Sequence, residues 1–125
     1  MPSRILVVED DEKSRRLLAD VLGHHGHEVT ACASGEEALR EARRQAPHAA
    51  LLDIQLPGIS GFEVLEGLRA VCGEPRLPVL AVTASVMEHE RARILSAGFD
   101  AYLAKPVNIR QLIGILEEIL RKVAP

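Results

Sequence analysis

The apolar pattern of the chain predicts an α/β fold built on a five-stranded parallel sheet, and three observations lead there. Short apolar runs begin near Ile5, Val29, Ala49, Val79 and Ala101, separated by helix-like segments. Each strand-plus-helix unit is roughly 30 residues, the size of a β-α-β element. Three of the runs, Ile5–Val8, Ala49–Leu52 and Val79–Val82, are apolar throughout, as strands covered on both faces must be.

The elements follow in order. The first strand stops at Glu9-Asp10-Asp11, and Asp11 is placed to cap a helix, where negative charge is favourable. That helix has Leu17, Leu18, Val21 and Leu22 on one face and Gly23 and Gly26 available to stop it. The second strand, Glu28–Cys32, mixes polar and apolar residues. Ser34 with Glu37, Ser60 with Glu63, and Ser85 with Glu88 match the capping box that opens a helix. Asn108 with Gln111 is a looser version before the last helix. The Arg40, Arg43 and Arg44 group reads as the wet face of the second helix. Gly98 follows Ala97, where a left-handed helix terminus favours glycine. The fifth strand, Asp100–Leu103, begins with charge. In the last helix Leu112, Leu116, Ile119 and Val123 form a core-facing stripe, which Ile109, Ile113, Ile115 and Leu120 widen. Broad burial and a self-association surface explain that width equally well.

Placing the apolar strands inside and the mixed ones at the edges gives the order 2-1-3-4-5. This is the flavodoxin-like (βα)5 three-layer sandwich, in which ligands bind beyond the strand carboxyl ends between strands one and three. Those strands end at Glu9-Asp10 and at Asp53. Three or four carboxylates therefore gather near Lys105, which ends the fifth strand. Clustered carboxylates repel one another unless a cation sits among them, and hard divalent ions such as magnesium favour all-oxygen sites of this kind.

Composition narrows the function. The 125 residues suit one domain, 1–125, with 47% hydrophobic and 26% charged residues. A formal charge of −3 argues against direct nucleic-acid binding, which needs concentrated Lys and Arg. With 2% aromatic residues, base-stacking surfaces are not expected. No stretch has the length of a membrane span and no signal peptide is visible, so a cytoplasmic location is expected. Cys32 and Cys72 lack metal-ligand spacing and read as reduced packing residues. His24, His25 and His27 do not form a zinc pattern and suit a solvated helix end.

Four segments, each at a strand end, carry a resemblance: Val7-Val8-Glu9-Asp10-Asp11, Leu52–Phe62 with its Asp53-Ile54-Gln55-Leu56-Pro57-Gly58, Val82-Thr83-Ala84, and Tyr102-Leu103-Ala104-Lys105-Pro106. Together and in this order they resemble the response-regulator receiver domains of two-component and phosphorelay signalling, across essentially the whole chain. The resemblance implies that Asp53 is the phosphoacceptor, a carboxylate nucleophile that forms an aspartyl phosphate. It implies a Mg²⁺ site, with Mn²⁺ able to substitute, formed by Asp10, Asp53 and the Gln55 backbone carbonyl, with Glu9 acting through a bound water. Lys105 would pair with Asp53 and then with the phosphoryl group, which Thr83 and the Ala84 backbone N–H would also contact. Thr83 and Tyr102 would form the switch, Gln55 and Ser85 would tune hydrolysis, and Lys105-Pro106 is a candidate cis peptide. The implied partners are a histidine kinase or histidine phosphotransfer protein and a downstream protein target. Self-association would use the fourth helix, fifth strand and fifth helix. The sequence leaves open whether such a receiver stands alone or belongs to a larger regulator or hybrid kinase.

Other classes fit less well. A hydrolase working through aspartyl phosphate would carry a second acid two residues after the nucleophile, where Gln55 stands. A flavin- or nucleotide-binding module would need a phosphate-cradling loop after the first strand, whereas Glu9-Asp10-Asp11-Glu12 would repel phosphate without a metal. A receiver-like scaffold that is never phosphorylated would have little use for the complete set of site residues.

Overall fold

Alternation along each inner strand divides the protein into two cores, one on either face of a single sheet. The computed structural model describes residues 3–73, 76–84 and 87–123. Its elements run β1 (Arg4–Val8), α1 (Glu12–His24), β2 (Glu28–Cys32), α2 (Gly35–Arg44), β3 (Ala49–Asp53), α3 (Gly61–Cys72), β4 (Val79–Thr83), α4 (Glu88–Ala97), β5 (Ala101–Ala104) and α5 (Ile109–Val123). All strand pairs are parallel, in the order β2-β1-β3-β4-β5. The predicted flavodoxin-like architecture and strand order are therefore those observed.

The chemistry that placed the strands is visible in their burial. Every residue of β3 and β4 is buried, whereas β2 is largely exposed and β5 is mostly half-buried. Leu6, Val8, Ala50, Leu52, Val79 and Ala81 face one core with Ala38, Ala42, Val64, Leu65, Leu68 and Ile94 from α2, α3 and α4. Ile5, Val7, Ala49, Leu51, Leu80 and Leu103 face the other, with Leu18 and Leu22 of α1 and Leu112 and Leu116 of α5. Ile113, Ile115, Ile119 and Leu120 pack partly buried against this second core, so much of the wide apolar face of α5 is spent inside the protein. The Val123 side chain lies outside the described residues. No described helix is long and apolar enough to cross a membrane.

Helix starts follow the sequence closely at three places. Asp11 Oδ2 accepts from the Ser14 N–H at 2.9 Å, Ser60 and Glu63 form a complete capping box, and Asn108 Oδ1 accepts from the Gln111 N–H at 3.0 Å. Ser34 also caps α2, but Glu37 turns its carboxylate to the Ala33 N–H rather than to the Ser34 N–H. The fourth start differs. Helix α4 begins with Met87 as N-cap and no side-chain cap bond, later than a Ser85 cap would place it; Ser85 itself lies outside the described residues.

Two expectations about α1 need correction. Gly23 lies inside the helix, which ends at His24, and the chain turns at Gly26 with φ +89°. A glycine in a last turn costs only about 1 kcal/mol, less than the contacts of Leu22 are worth. Leu17 is 55% exposed rather than part of the buried face, because the stripe that reaches the core runs through Leu18 and Leu22. Gly98 terminates α4 at φ +108°, a left-handed position that suits glycine.

Gly61, the first residue of α3, sits against the end of β3. A Cβ there would lie 2.7 Å from Ile54 Cα and 2.8 Å from the Asp53 carbonyl oxygen, and its own N–H donates to Ile54 O at 3.1 Å. The third helix can therefore press directly on the backbone of the strand-end aspartate.

Candidate functional site

Parallel strands share a direction, so their carboxyl ends open on one edge. Val8 is in register with Leu52, Asp53 with Val82, and Thr83 with Ala104. The residues that follow or end these strands, Glu9, Asp10, Asp53, Thr83 and Lys105, thus converge. Among the described residues, the polar or charged ones that are buried are Glu9, Asp53 and Thr83. Burying such groups is costly without partners, so their position at one strand edge marks it as more than a surface.

Lys105 Nζ donates to Asp53 Oδ2 at 2.9 Å and to Glu9 Oε1 at 3.0 Å and Oε2 at 3.4 Å. The other Asp53 oxygen, Oδ1, accepts from the Gln55 N–H at 3.0 Å. Carboxylate oxygens of Glu9, Asp10 and Asp53 lie within 4.8 Å of one another. Lys105 thus bonds the carboxylates of Glu9 and Asp53, with that of Asp10 beside them. Burial, followed by the hydrogen bond with Asp53, pushes the Glu9 carboxyl up to about 7, against which Lys105 pulls it down. Burial alone would lower Lys105, but its bonds to Asp53 and Glu9 and their charges outweigh that and raise it. The site carries an uncompensated negative charge, and its donors are all oxygen. That donor set suits a hard divalent cation such as Mg²⁺.

Lys105-Pro106 is a cis peptide, as expected. Gln55 and Ala84 are exposed beside the site, and Tyr102 is half-buried on β5, in register with Ala81, with the Arg91 guanidinium 5.4 Å from its ring centre. A cleft of about 440 Å³ opens here, lined by Glu9, Asp53 and Lys105 together with Leu17, Val107 and Ile109. Exposed Leu17 is therefore part of the entrance. The histidines form no such cluster: among the described residues Glu9, Asp10 and Asp53 are the one group of three placed to hold a metal. His25 Nδ1 is 3.0 Å from Val21 O at the end of α1.

Two contacts were not anticipated. Glu9 binds Lys105 directly, and Arg15 Nη1 donates to the carbonyls of Glu9 at 3.0 Å and Asp10 at 3.3 Å. The signal for the second was present: helical side chains lean toward the helix N-terminus, and Arg15 follows the Asp11 cap by four residues.

Residues 5–117 match the response regulator receiver domain family. The polar-differentiation response regulator DivK of Brucella anthropi is 37% identical over 120 residues, spanning 96% of this chain and 98% of DivK. A CheY-like receiver domain protein from Methanospirillum hungatei superposes with a TM-score of 0.88 at 33% identity, covering 98% of this chain and 96% of the other. The receiver domain of the sensor histidine kinase PA1611 from Pseudomonas aeruginosa, solved with magnesium coordinated in its active-site cleft, gives a TM-score of 0.86 at 34% identity, covering 96% and 98%. With the sheet order and the acidic strand-end cluster in place, these similarities establish that the chain belongs to the response-regulator receiver domain family.

Proposed function

We propose that this receiver accepts a phosphoryl group on Asp53 from a phosphohistidine donor, with Mg²⁺, and then changes the surface it offers to a protein target. Receiver domains are signalling switches rather than classical enzymes, and a phosphoacceptor role and contacts with histidine kinases and downstream targets are general to the family. The observation that carries the reading for this chain is the setting of Asp53: buried, bonded to Lys105, and grouped with Glu9 and Asp10.

In the transfer step a carboxylate oxygen of Asp53 bonds to phosphorus as the donor's P–N bond breaks, and the departing imidazole takes the electron pair. Lys105 releases part of its hold on Asp53 to a phosphoryl oxygen. The Thr83 hydroxyl and the Ala84 N–H supply further donors. Asp10, Asp53 and the Gln55 carbonyl would hold Mg²⁺ or Mn²⁺, with Glu9 nearby, and the bound cation would offset charge on the phosphoryl oxygens. Gln55 and Ser85 would set the access of hydrolytic water. The apolar cleft beside Asp53, with Leu17 exposed at its mouth, offers a donor protein its way in.

The output follows from Thr83 moving toward the phosphoryl group and the Tyr102 ring turning inward, a two-state readout of a local charge change. The target surface comprises α4, β5 and α5, where Met87 and Leu95 of the α4 region are exposed. A homodimer would use the same face, and light scattering with and without phosphorylation decides between the two. In this reading residues 1–125 act as one cytoplasmic receiver unit. Incubation with acetyl phosphate and Mg²⁺, followed by intact-mass measurement, tests the core of it. The wild type should gain one phosphoryl group and Asp53→Asn none; equal labelling of both would place the acceptor elsewhere.

A further inference from the structure

Asp10 differs from its neighbours in the acidic cluster. Glu9 and Asp53 are buried and fixed by Lys105, whereas Asp10 is exposed, so surrounding packing does not set the direction of its carboxylate. Its backbone is set instead. The Glu9 N–H donates to Cys32 O at 3.0 Å, and Asp11 is tied to α1 through the Ser14 N–H at 2.9 Å. Between these anchors, Arg15 Nη1 donates to two successive carbonyls, Glu9 at 3.0 Å and Asp10 at 3.3 Å.

We propose that Arg15 is a positioning residue for the acidic cluster, holding the Glu9-Asp10 backbone so that Asp10 is presented beside Asp53 for a divalent cation. This rests on the reading of the cluster as a cation site. A simpler role, satisfying strand-end carbonyls for stability, makes a different prediction. The guanidinium is a positive charge near the site, and by Coulomb repulsion alone its removal should tighten cation binding. Loss of positioning should weaken it. The sign of the change therefore separates the two roles.

The test is Mg²⁺ titration of metal-free protein, followed through the backbone amide resonances of residues 9–11 and 53–55. Arg15→Met keeps much of the aliphatic stem and loses both hydrogen bonds. It should raise the Mg²⁺ Kd by about tenfold, the lower end of what is lost when groups supporting a metal ligand are removed. Arg15→Lys, which retains the charge and a donor, should fall between. In the metal-free state the Asp10 and Asp11 amides should exchange faster with solvent in Arg15→Met than in wild type, while the amides of β3 are unchanged. Equal or tighter Mg²⁺ binding by Arg15→Met would overturn the proposal. If Arg15→Met proves too unstable to titrate, Arg15→Lys decides, and a Kd equal to wild type counts against positioning. Failure of the wild type itself to bind Mg²⁺ would remove the phosphoacceptor reading; in that case unchanged Asp10 and Asp11 exchange in the variants sinks this inference, and faster exchange sustains the role of Arg15 in ordering the loop.

Discussion

Both ends of the sheet place acids against bases, but the two ends are balanced differently. At the amino edge, Asp100 is held by three donors: Oδ2 accepts from Arg69 at 3.0 Å and from the Val79 N–H at 2.8 Å, and Oδ1 accepts from Arg76 at 2.6 Å. The same two arginines also hold the Gly98 carbonyl, and Arg69 holds that of Leu77. At the carboxyl edge, one lysine serves Asp53 and Glu9 while Asp10 stands beside them. A carboxylate held by two arginines and a backbone N–H is a clamp. At the carboxyl edge, among the described residues, carboxylates outnumber the ammonium bonded to them, and that surplus of negative charge distinguishes it from the opposite edge.

The strongest way to break this comparison is at Lys105. Lys105→Met removes the ammonium bonded to the carboxylates of Asp53 and Glu9. Its phosphorylation rate with acetyl phosphate should fall about 100-fold, as when a charge-stabilising donor is deleted from a reacting site, while the far-ultraviolet circular dichroism spectrum is retained. A rate near that of wild type would mean that the ion pair is only structural.

The opposite edge should respond in the opposite manner. Arg69→Met leaves Asp100 short of a partner and three carbonyl contacts unmade. Urea unfolding should show a loss of about 2–3 kcal/mol, with the rate at Asp53 held within about twofold, as expected for distant independent sites. A large drop in that rate would show that the two edges are coupled.

Burial of Glu9 against Asp53 also predicts a pH dependence for the metal-free protein. The Glu9 carboxyl lies at about 7 in the folded state, against an ordinary 4.5. Between those values the folded chain binds more protons than the unfolded one, so this group's stabilisation is complete below pH 4.5 and is lost as pH rises through 7. Comparing wild type with Glu9→Gln isolates it: the wild type should lose on the order of 2 kcal/mol more than the variant between pH 4.5 and 8. Parallel stability curves would show that folding leaves the Glu9 carboxyl at its ordinary value.

Much of this arrangement was legible beforehand because it depends on one-dimensional signals. Unbroken apolar runs identified β1, β3 and β4 as inner strands, and mixed runs put β2 and β5 at the edges, which fixed the sheet order. Acids at the ends of β1 and β3 and the lysine after β5 then had to meet, because parallel strands share an edge. What escaped were contacts decided by side-chain reach. The sequence does not say that Lys105 will divide itself between Asp53 and Glu9, or that Arg15 will fold back over the loop. Leu17 was misplaced because periodicity cannot tell a helix face seated on the core from one bordering a cleft. The start of α4 was misread for a related reason: a serine and a glutamate at capping distance permit a box, but Met87 occupies the cap.

The contact between Gly61 and the end of β3 sets a limit of another kind. A methyl group there would meet backbone atoms of Asp53 and Ile54, which cannot rotate aside as a side chain could. Gln55 and Pro57 in the preceding loop are exposed and leave an engineer room to vary, but at position 61 the admissible alphabet shrinks to one letter. The tolerance of this stretch is governed by clearance, so a residue with no reactive group is as hard to replace as the buried aspartate whose backbone it meets.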